Sequence, residues 1–220
     1  MLINNDFVNC INDLPEIDLI LTDIPYQISK ENNFKTMKDR QGRSGIDFGE
    51  WDYDFDISSL KKLIPKLKKG GSFIIFSSFE QYSDLINNLN ELELKDRIIF
   101  RKTNPMPRNR DRRYISNIEL ITWFVKKGDK WTFNRQSKNY DESVISYPAE
   151  SGGGFKKYHP TQKPLRLIEE LVKRHSNPDD IVLDCCAGSG TTGVACNNLN
   201  RRYILIEKSK DYYNTIINRL

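Results

Sequence analysis

The chain has 220 residues, 38% of them hydrophobic and 29% charged, with a formal net charge of +4. That length suits one domain with a substantial core, and the composition is that of a soluble globular protein. So mild a charge excludes a partner held by bulk electrostatics alone, and no apolar run is long enough to span a bilayer.

The first six residues lack the basic start and small-residue cleavage site of a signal peptide. Cys10, Cys185, Cys186 and Cys196 form no C-x-x-C pair, and the only histidines are His159 and His175, so no metal site is expected. Small buried thiols suit a reducing compartment, which points to the cytoplasm.

In chain order, residues 17–22 read as a buried strand. The spacing of Leu60, Leu63, Ile64 and Leu67 predicts a helix over 57–69, closed by Gly70-Gly71. A buried strand over 72–77 follows, then a helix over 80–92 and strands over 97–101 and 118–126. Pro164 opens an amphipathic helix over 165–175. A strand over 181–185, a helix over 191–199, a strand over 202–206 and a helix over 210–220 complete the pattern. Strands apolar on both faces, alternating with helices, predict an α/β fold: a mostly parallel, Rossmann-like sheet with helices on both faces. Two stretches, 29–55 and 128–158, escape the alternation and are too long for idle connections; Gly152-Gly153-Gly154 marks a hinge or exit in the second.

Three motifs carry chemistry. Thr22-Asp23-Ile24-Pro25-Tyr26 ends the first strand. Asp23 can accept one hydrogen of an exocyclic amine and the Ile24 carbonyl another; Pro25 stiffens the turn and offers no competing N–H, and Tyr26 can stack on a flat base. Asp184 then leads through Ala187, Gly188 and Gly190 to Thr191 and Thr192 at a helix start, and the next strand ends in Glu207. Absent side chains let a nucleoside-type cofactor approach the backbone, and a carboxylate at the second strand end suits ribose hydroxyls. An NAD-type cofactor is an alternative, but the third glycine of G-x-G-x-x-G is missing. In His159-Pro160-Thr161-Gln162-Lys163-Pro164, Thr161 and Lys163 stand at the positive end of the following helix, suited to a carboxylate.

The three motifs, in this order and over nearly the whole chain, resemble the β group of S-adenosylmethionine-dependent DNA amino-methyltransferases. The resemblance implies a circularly permuted, seven-stranded methyltransferase fold in one domain, with the catalytic half before the cofactor half. It implies S-adenosylmethionine as cofactor, its methionine end near Thr161 and Lys163, its adenine ring near Asp6, and residues 1–7 as a further strand. Asp23 at its position favours adenine N6 over cytosine N4. The usual Asp-Pro-Pro-Tyr has Ile24 in place of a proline, which is expected to loosen the loop while keeping the carbonyl acceptor. Glu119 matches an acidic position common in the family and has no assigned role.

Double-stranded DNA is the expected partner. Arg101, Lys102, Arg108, Arg110, Arg112 and Arg113 form a basic run set against one acid, Asp111, and suit phosphates, as do Lys38, Arg40 and Arg43 in a lid over 29–55. The resemblance places target recognition in 128–158, where Trp131, Arg135, Gln136, Lys138 and Asn139 are candidate readers of base edges. That interval is short, so either the site is short or a homodimer supplies the missing contacts. A partner restriction nuclease is a further expectation. The competing readings are an N4-cytosine enzyme, an RNA or protein amino-methyltransferase, and an inactive DNA-binding relative.

Overall fold

A computed structural model describes residues 1–27, 55–105, 114–150 and 158–220. The first half holds β1 (Leu2–Asn4), β2 (Ile17–Asp23), β3 (Leu67–Ser77), α1 (Tyr82–Asn88), β4 (Glu93–Lys102), β5 (Ile118–Val125) and β6 (Val144–Tyr147). The second half holds α2 (Leu165–His175), β7 (Ile181–Asp184), α3 (Thr191–Asn198), β8 (Arg202–Glu207) and α4 (Lys210–Ile217).

The strands form one sheet in the order β1-β8-β7-β2-β3-β5-β4-β6. Every pairing is parallel except the two made by β5. β2 and β7 lie side by side, with Leu19 opposite Val182 and Ile20 opposite Leu183. From β2 the chain moves outward to β3; from β7 it moves the other way, to β8. The crevice beyond the carboxyl ends of β2 and β7 is therefore a topological switch point, the place where open α/β sheets hold ligands.

Alternate residues of the strands feed two cores. Ile20, Phe73, Ile75 and Leu183 pack with Leu60, Leu63, Leu85 and Leu89 on one face. Leu19, Leu21, Ile74, Phe76 and Val182 pack with Leu167, Leu171, Ala195 and Cys196, from α2 and α3, on the other. Period-two alternation thus places a hydrophobic layer on each side of the sheet.

The α/β class, the mostly parallel sheet and the two covered faces agree with the sequence. The sheet has eight strands where seven were expected. The eighth, β6, comes from the segment read as a recognition insertion and pairs with β4 from Ile99↔Val144 to Lys102↔Tyr147. The helix expected over 57–69 is a 3-10 helix over Ile57–Lys66, with Pro65 inside it. Pro65 has no N–H for an α-helical bond, and β3 already begins at Leu67, before the glycines. Lys126 donates to the carbonyls of Ile64 and Leu67 at the end of this turn, at 2.9 and 2.6 Å.

The stretch after β5 is latched to the far end of α2, at the amino edge of the sheet. The Asn134 amide donates to the carbonyls of Lys173 and Ser176, at 3.1 and 2.9 Å. Phe133 and Trp123 pack their rings on His175, with centroids 5.5 and 4.5 Å away. Neither ring nitrogen of His175 has a hydrogen-bond partner among the described residues. Burial, helped by the neighbouring Arg174 charge, holds its pKa down to about 3 from 6.5. Between those values the unfolded chain binds the extra proton, so this contribution is full above pH 6.5 and is lost as pH falls towards 3. Urea melts at about pH 7 and about pH 4.5 should show the His175→Leu variant losing less stability on acidification than the wild type, by about 2 kcal/mol.

Candidate active site

β2 ends at Asp23, and the chain turns at once into the switch-point crevice. The Ile24 amide donates to the Phe76 carbonyl at 3.3 Å, continuing the β2–β3 ladder one residue past the strand. Proline could not make this bond, and Ile24 is buried, only 1% of the residue being exposed. The loop that the missing proline was expected to loosen is held by backbone and core instead. The Pro25 carbonyl is taken by Gln81 Nε2 at 2.7 Å, and Gln81 is itself locked to Ser78. The Ile24 carbonyl has no donor among the described residues.

The Asp23 carboxylate belongs to a buried charge cluster. Its Oδ2 accepts from Lys163 Nζ at 2.6 Å, while Oδ1 is buried and has no partner among the described residues. The same ammonium lies 3.3 Å from Glu119 Oε2, and Lys102 Nζ lies 2.5 Å from Glu119 Oε1. Tyr26 donates its hydroxyl to Glu119 at 3.3 Å. The rings of Tyr26 and Phe76 flank the Lys163 ammonium, their centroids 5.0 and 5.2 Å away.

Electrostatics follow from this packing. Burial raises the Asp23 carboxyl and outweighs the lowering by Lys163. Burial alone would strip the proton from Lys163, but Asp23 and Glu119 outweigh it and keep the group a cation. Burial also pushes Glu119 upward, yet the two ammoniums prevail and hold it at about 2. Tyr26 is driven well above its ordinary value by burial and by both carboxylates, and stays a neutral donor.

The second motif forms the other wall. Gly188 and Gly190 hold φ of +50° and +74°, the left-handed region that side chains resist. Glu207 accepts from the Gly188 amide and the Ser209 amide, each at 2.7 Å, and so ties the loop to the end of β8. Asp184 accepts from Thr192 Oγ1 at 2.6 Å and from the Cys186 amide at 3.1 Å; burial raises its pKa to about 6. Ala187 joins the loop to β8 through its amide, which donates to the Ile206 carbonyl at 3.0 Å. Thr191 pairs with Ser189 and receives Arg219, whose guanidinium also reaches the Ser189 carbonyl at 2.7 Å. Arg219 and Gln81 are braces that sequence reasoning missed; each acts on a loop far away in the chain and leaves no local pattern.

Both walls face one cavity of about 1,320 Å³, more than a single small ligand fills. Every residue predicted for catalysis or cofactor binding lines it except Gly190, which lies behind the loop against Ile216. Asp6 stands at the rim, capping the turn after β1 through the Val8 amide and 3.2 Å from Lys208. Thr161 is turned to His159 Nδ1, at 3.0 Å. Lys163, expected at a cofactor carboxylate, is instead committed to Asp23 and Glu119, and the N-terminus of α2 is met by Glu150, which accepts from the Leu165 amide at 3.0 Å.

The expected DNA contacts divide. Lys102 lines the cavity but is paired with Glu119; Arg101, beside it on β4, donates to Ser146 Oγ at 3.0 Å. Arg135 is folded onto the Asn139 carbonyl at 2.9 Å, and neither it nor Lys138, Trp131, Gln136 or Asn139 lines the cavity. The reason is topological: β5 runs against its neighbours, so the segment that follows it emerges at the amino edge. Lys38, Arg40, Arg43, Arg108, Arg110, Arg112 and Arg113, with the glycines of the expected hinge, lie outside the described residues.

A family model described as DNA methylase, of the N6/N4 methyltransferases, matches residues 17–218. The chain belongs to this DNA methylase family. Type II methyltransferase M.HinfI of Haemophilus influenzae is 34% identical over 252 residues, spanning 98% of this chain and 69% of its own. Type II methyltransferase M2.LlaDCHI of Lactococcus lactis subsp. cremoris is 28% identical, spanning 93% of this chain and 82% of its own. The solved complex of M1.HpyAVI with SAM aligns with a TM-score of 0.78 at 34% identity, over 100% of this chain and 98% of that one. The cytosine-N4-specific PvuII DNA methyltransferase aligns with a TM-score of 0.77 at 20% identity, over 100% of this chain and 85% of that one, and shares the fold. S-adenosylmethionine is the family's methyl donor. The acidic lining of this DNA methylase, with Asp184, Glu207 and Asp6 around a glycine cradle, fits a cationic nucleoside of that kind. Glu207→Ala removes the brace that ties the Gly188 loop to the end of β8; calorimetric titration with S-adenosylmethionine should show about 10- to 100-fold weaker binding.

Proposed function

We propose that this DNA methylase methylates the exocyclic amine of adenine, forming N6-methyladenine in double-stranded DNA. The observation that carries the reading is a pair of unpaired acceptors on consecutive residues that line the cavity: the buried Asp23 Oδ1 and the Ile24 carbonyl, each without a donor among the described residues. An aromatic amine is a poor nucleophile because its lone pair is delocalised into the ring. Two acceptors on its two hydrogens draw the nitrogen towards tetrahedral geometry and free the lone pair. Tyr26 offers a ring on which the flipped base stacks.

Gly188, Ala187, Glu207, Asp184 and Asp6 would hold S-adenosylmethionine, which when bound supplies a methyl group on a positively charged sulfur. The proton shed by the amine is held at Asp23 Oδ1, where burial makes the carboxylate a better base than it is in water. Free amines of this kind are far too weak as acids to lose the proton first.

The choice of adenine rests on Asp23, since in the resembling family an acidic residue at this position goes mostly with adenine N6. Cytosine N4 is the second reading, because the same two acceptors suit either amine. A second copy of the chain is one source of the contacts that read the sequence. Similarity to two Type II methyltransferases supports a companion restriction nuclease that reads the same site. All four cysteines are free thiols, in keeping with the cytoplasm.

Transfer of tritiated methyl from S-adenosylmethionine to unmethylated DNA, followed by digestion to nucleosides, tests the reading. Wild type should yield N6-methyladenine, and Asp23→Ala should lower the rate by about 100- to 1,000-fold. N4-methylcytosine would overturn the base; label in RNA or protein alone would overturn the substrate.

A further inference from the structure

We propose that Lys163 is a positioning residue for methyl transfer: clamped by Glu119, its ammonium holds Asp23 Oδ2 and so leaves the ionised Oδ1 aimed at the amine. The inference rests on the reading of Asp23 as the amine acceptor, whichever base is the substrate. It gives Glu119 and Lys102 a role as well, as the anchor that fixes the clamp.

The geometry is specific. Lys163 Nζ is 2.6 Å from Asp23 Oδ2 and 3.3 Å from Glu119 Oε2, so two carboxylates from different strands fix one ammonium. Glu119 is in turn fixed by Lys102 at 2.5 Å and by the Tyr26 hydroxyl at 3.3 Å. A carboxylate with one oxygen tied cannot rotate freely, and only its other oxygen remains for substrate. The Lys163 side chain is 8% exposed, so water is a poor substitute for either partner. This lysine is therefore unlike a solvated one at a helix entrance, and its charge is already used within the protein.

Each charged group facing Asp23 has a defined sign. Glu119 on β5 and Asp184 at the end of β7 disfavour its ionisation; Lys163 favours it, and so, more weakly, does the nearby Tyr26 hydroxyl. Burial acts with the two carboxylates. Removing Lys163 leaves only opposition, apart from the Tyr26 hydroxyl, so Asp23 should hold its proton to higher pH. Removing Glu119 takes away a like charge and should have the reverse effect. A general loosening of the fold would not produce opposite shifts from two neighbours in one cluster.

The test uses the full chain with aspartate labelled at its carboxyl carbon, and NMR titration of Asp23, assigned with Asp23→Asn. Lys163→Met should move the Asp23 midpoint up by about one pH unit or more, Glu119→Gln should move it down, and Lys163→Arg should leave it near wild type. Single-turnover methyl transfer at about pH 7 should fall about 100-fold in Lys163→Met and recover in part at higher pH, while Lys163→Arg restores most of the rate. The dissociation constant for S-adenosylmethionine should stay within about threefold of wild type. An unchanged Asp23 titration in Lys163→Met would overturn the proposal. So would loss of cofactor binding with a normal rate at saturation, which would make Lys163 a ligand of the cofactor carboxylate. The titration needs neither DNA nor turnover, so it stands apart from the product analysis that decides the base.

Discussion

The site depends on one constraint: an ammonium buried where water cannot solvate it. Removing such a charge from water costs several kcal/mol, and the cost is offset only by close, well-directed partners. Lys163 finds them in Asp23 and Glu119, and Lys102 supplies the second cation, so two positive and two negative charges balance within one cluster. The four residues come from the end of β4, the start of β5, the end of β2 and the entrance of α2. Asp23, the Tyr26 hydroxyl and the entrance of α2 are therefore fixed by the same charges. None can shift alone without leaving an unpaired charge behind.

That cluster exists because of the sheet order. β5 runs antiparallel between β3 and β4, so its first residues, not its last, reach the carboxyl edge. Glu119 lies 96 positions after Asp23 in the chain yet meets the same ammonium. The same reversal sends the segment after β5 to the amino edge, where Asn134 and Phe133 fasten it to α2. One inverted strand both completes the charge cluster and carries residues 131–139 to the opposite edge of the sheet.

This explains which parts were legible in the sequence. Strands such as β2 and β7 announce themselves by short apolar runs, Leu19–Leu21 and Ile181–Leu183, α2 by its stripe of Leu167, Ile168, Leu171 and Val172, and the loop after β7 by its glycines. These signals are local, set by backbone sterics and by which face is buried. The roles of Lys163, Lys102 and Glu119 were not legible, because a charged residue looks the same in sequence whether water or a distant carboxylate surrounds it. Nor was β6, a short half-exposed strand that owes its place to the edge of β4. The 3-10 helix before β3 was misread because apolar spacing alone does not register the amide that Pro65 lacks.

Ile24 shows how a departure from a motif is weighed in physical terms. A second proline would fix φ but would carry no N–H, so it could not reach the Phe76 carbonyl. Isoleucine keeps that bond and adds a buried branched side chain against the core formed by Ile20 and Ile75. The rigidity lost with one ring is returned by a ladder bond and by packing, two interactions that do not involve the Ile24 carbonyl. On the proposed reading what the turn must present is that carbonyl, and any residue that holds the backbone in place can do so. The substitution therefore carries little weight for an inactive relative, and the open acceptors of Asp23 and Ile24 carry the case for an enzyme.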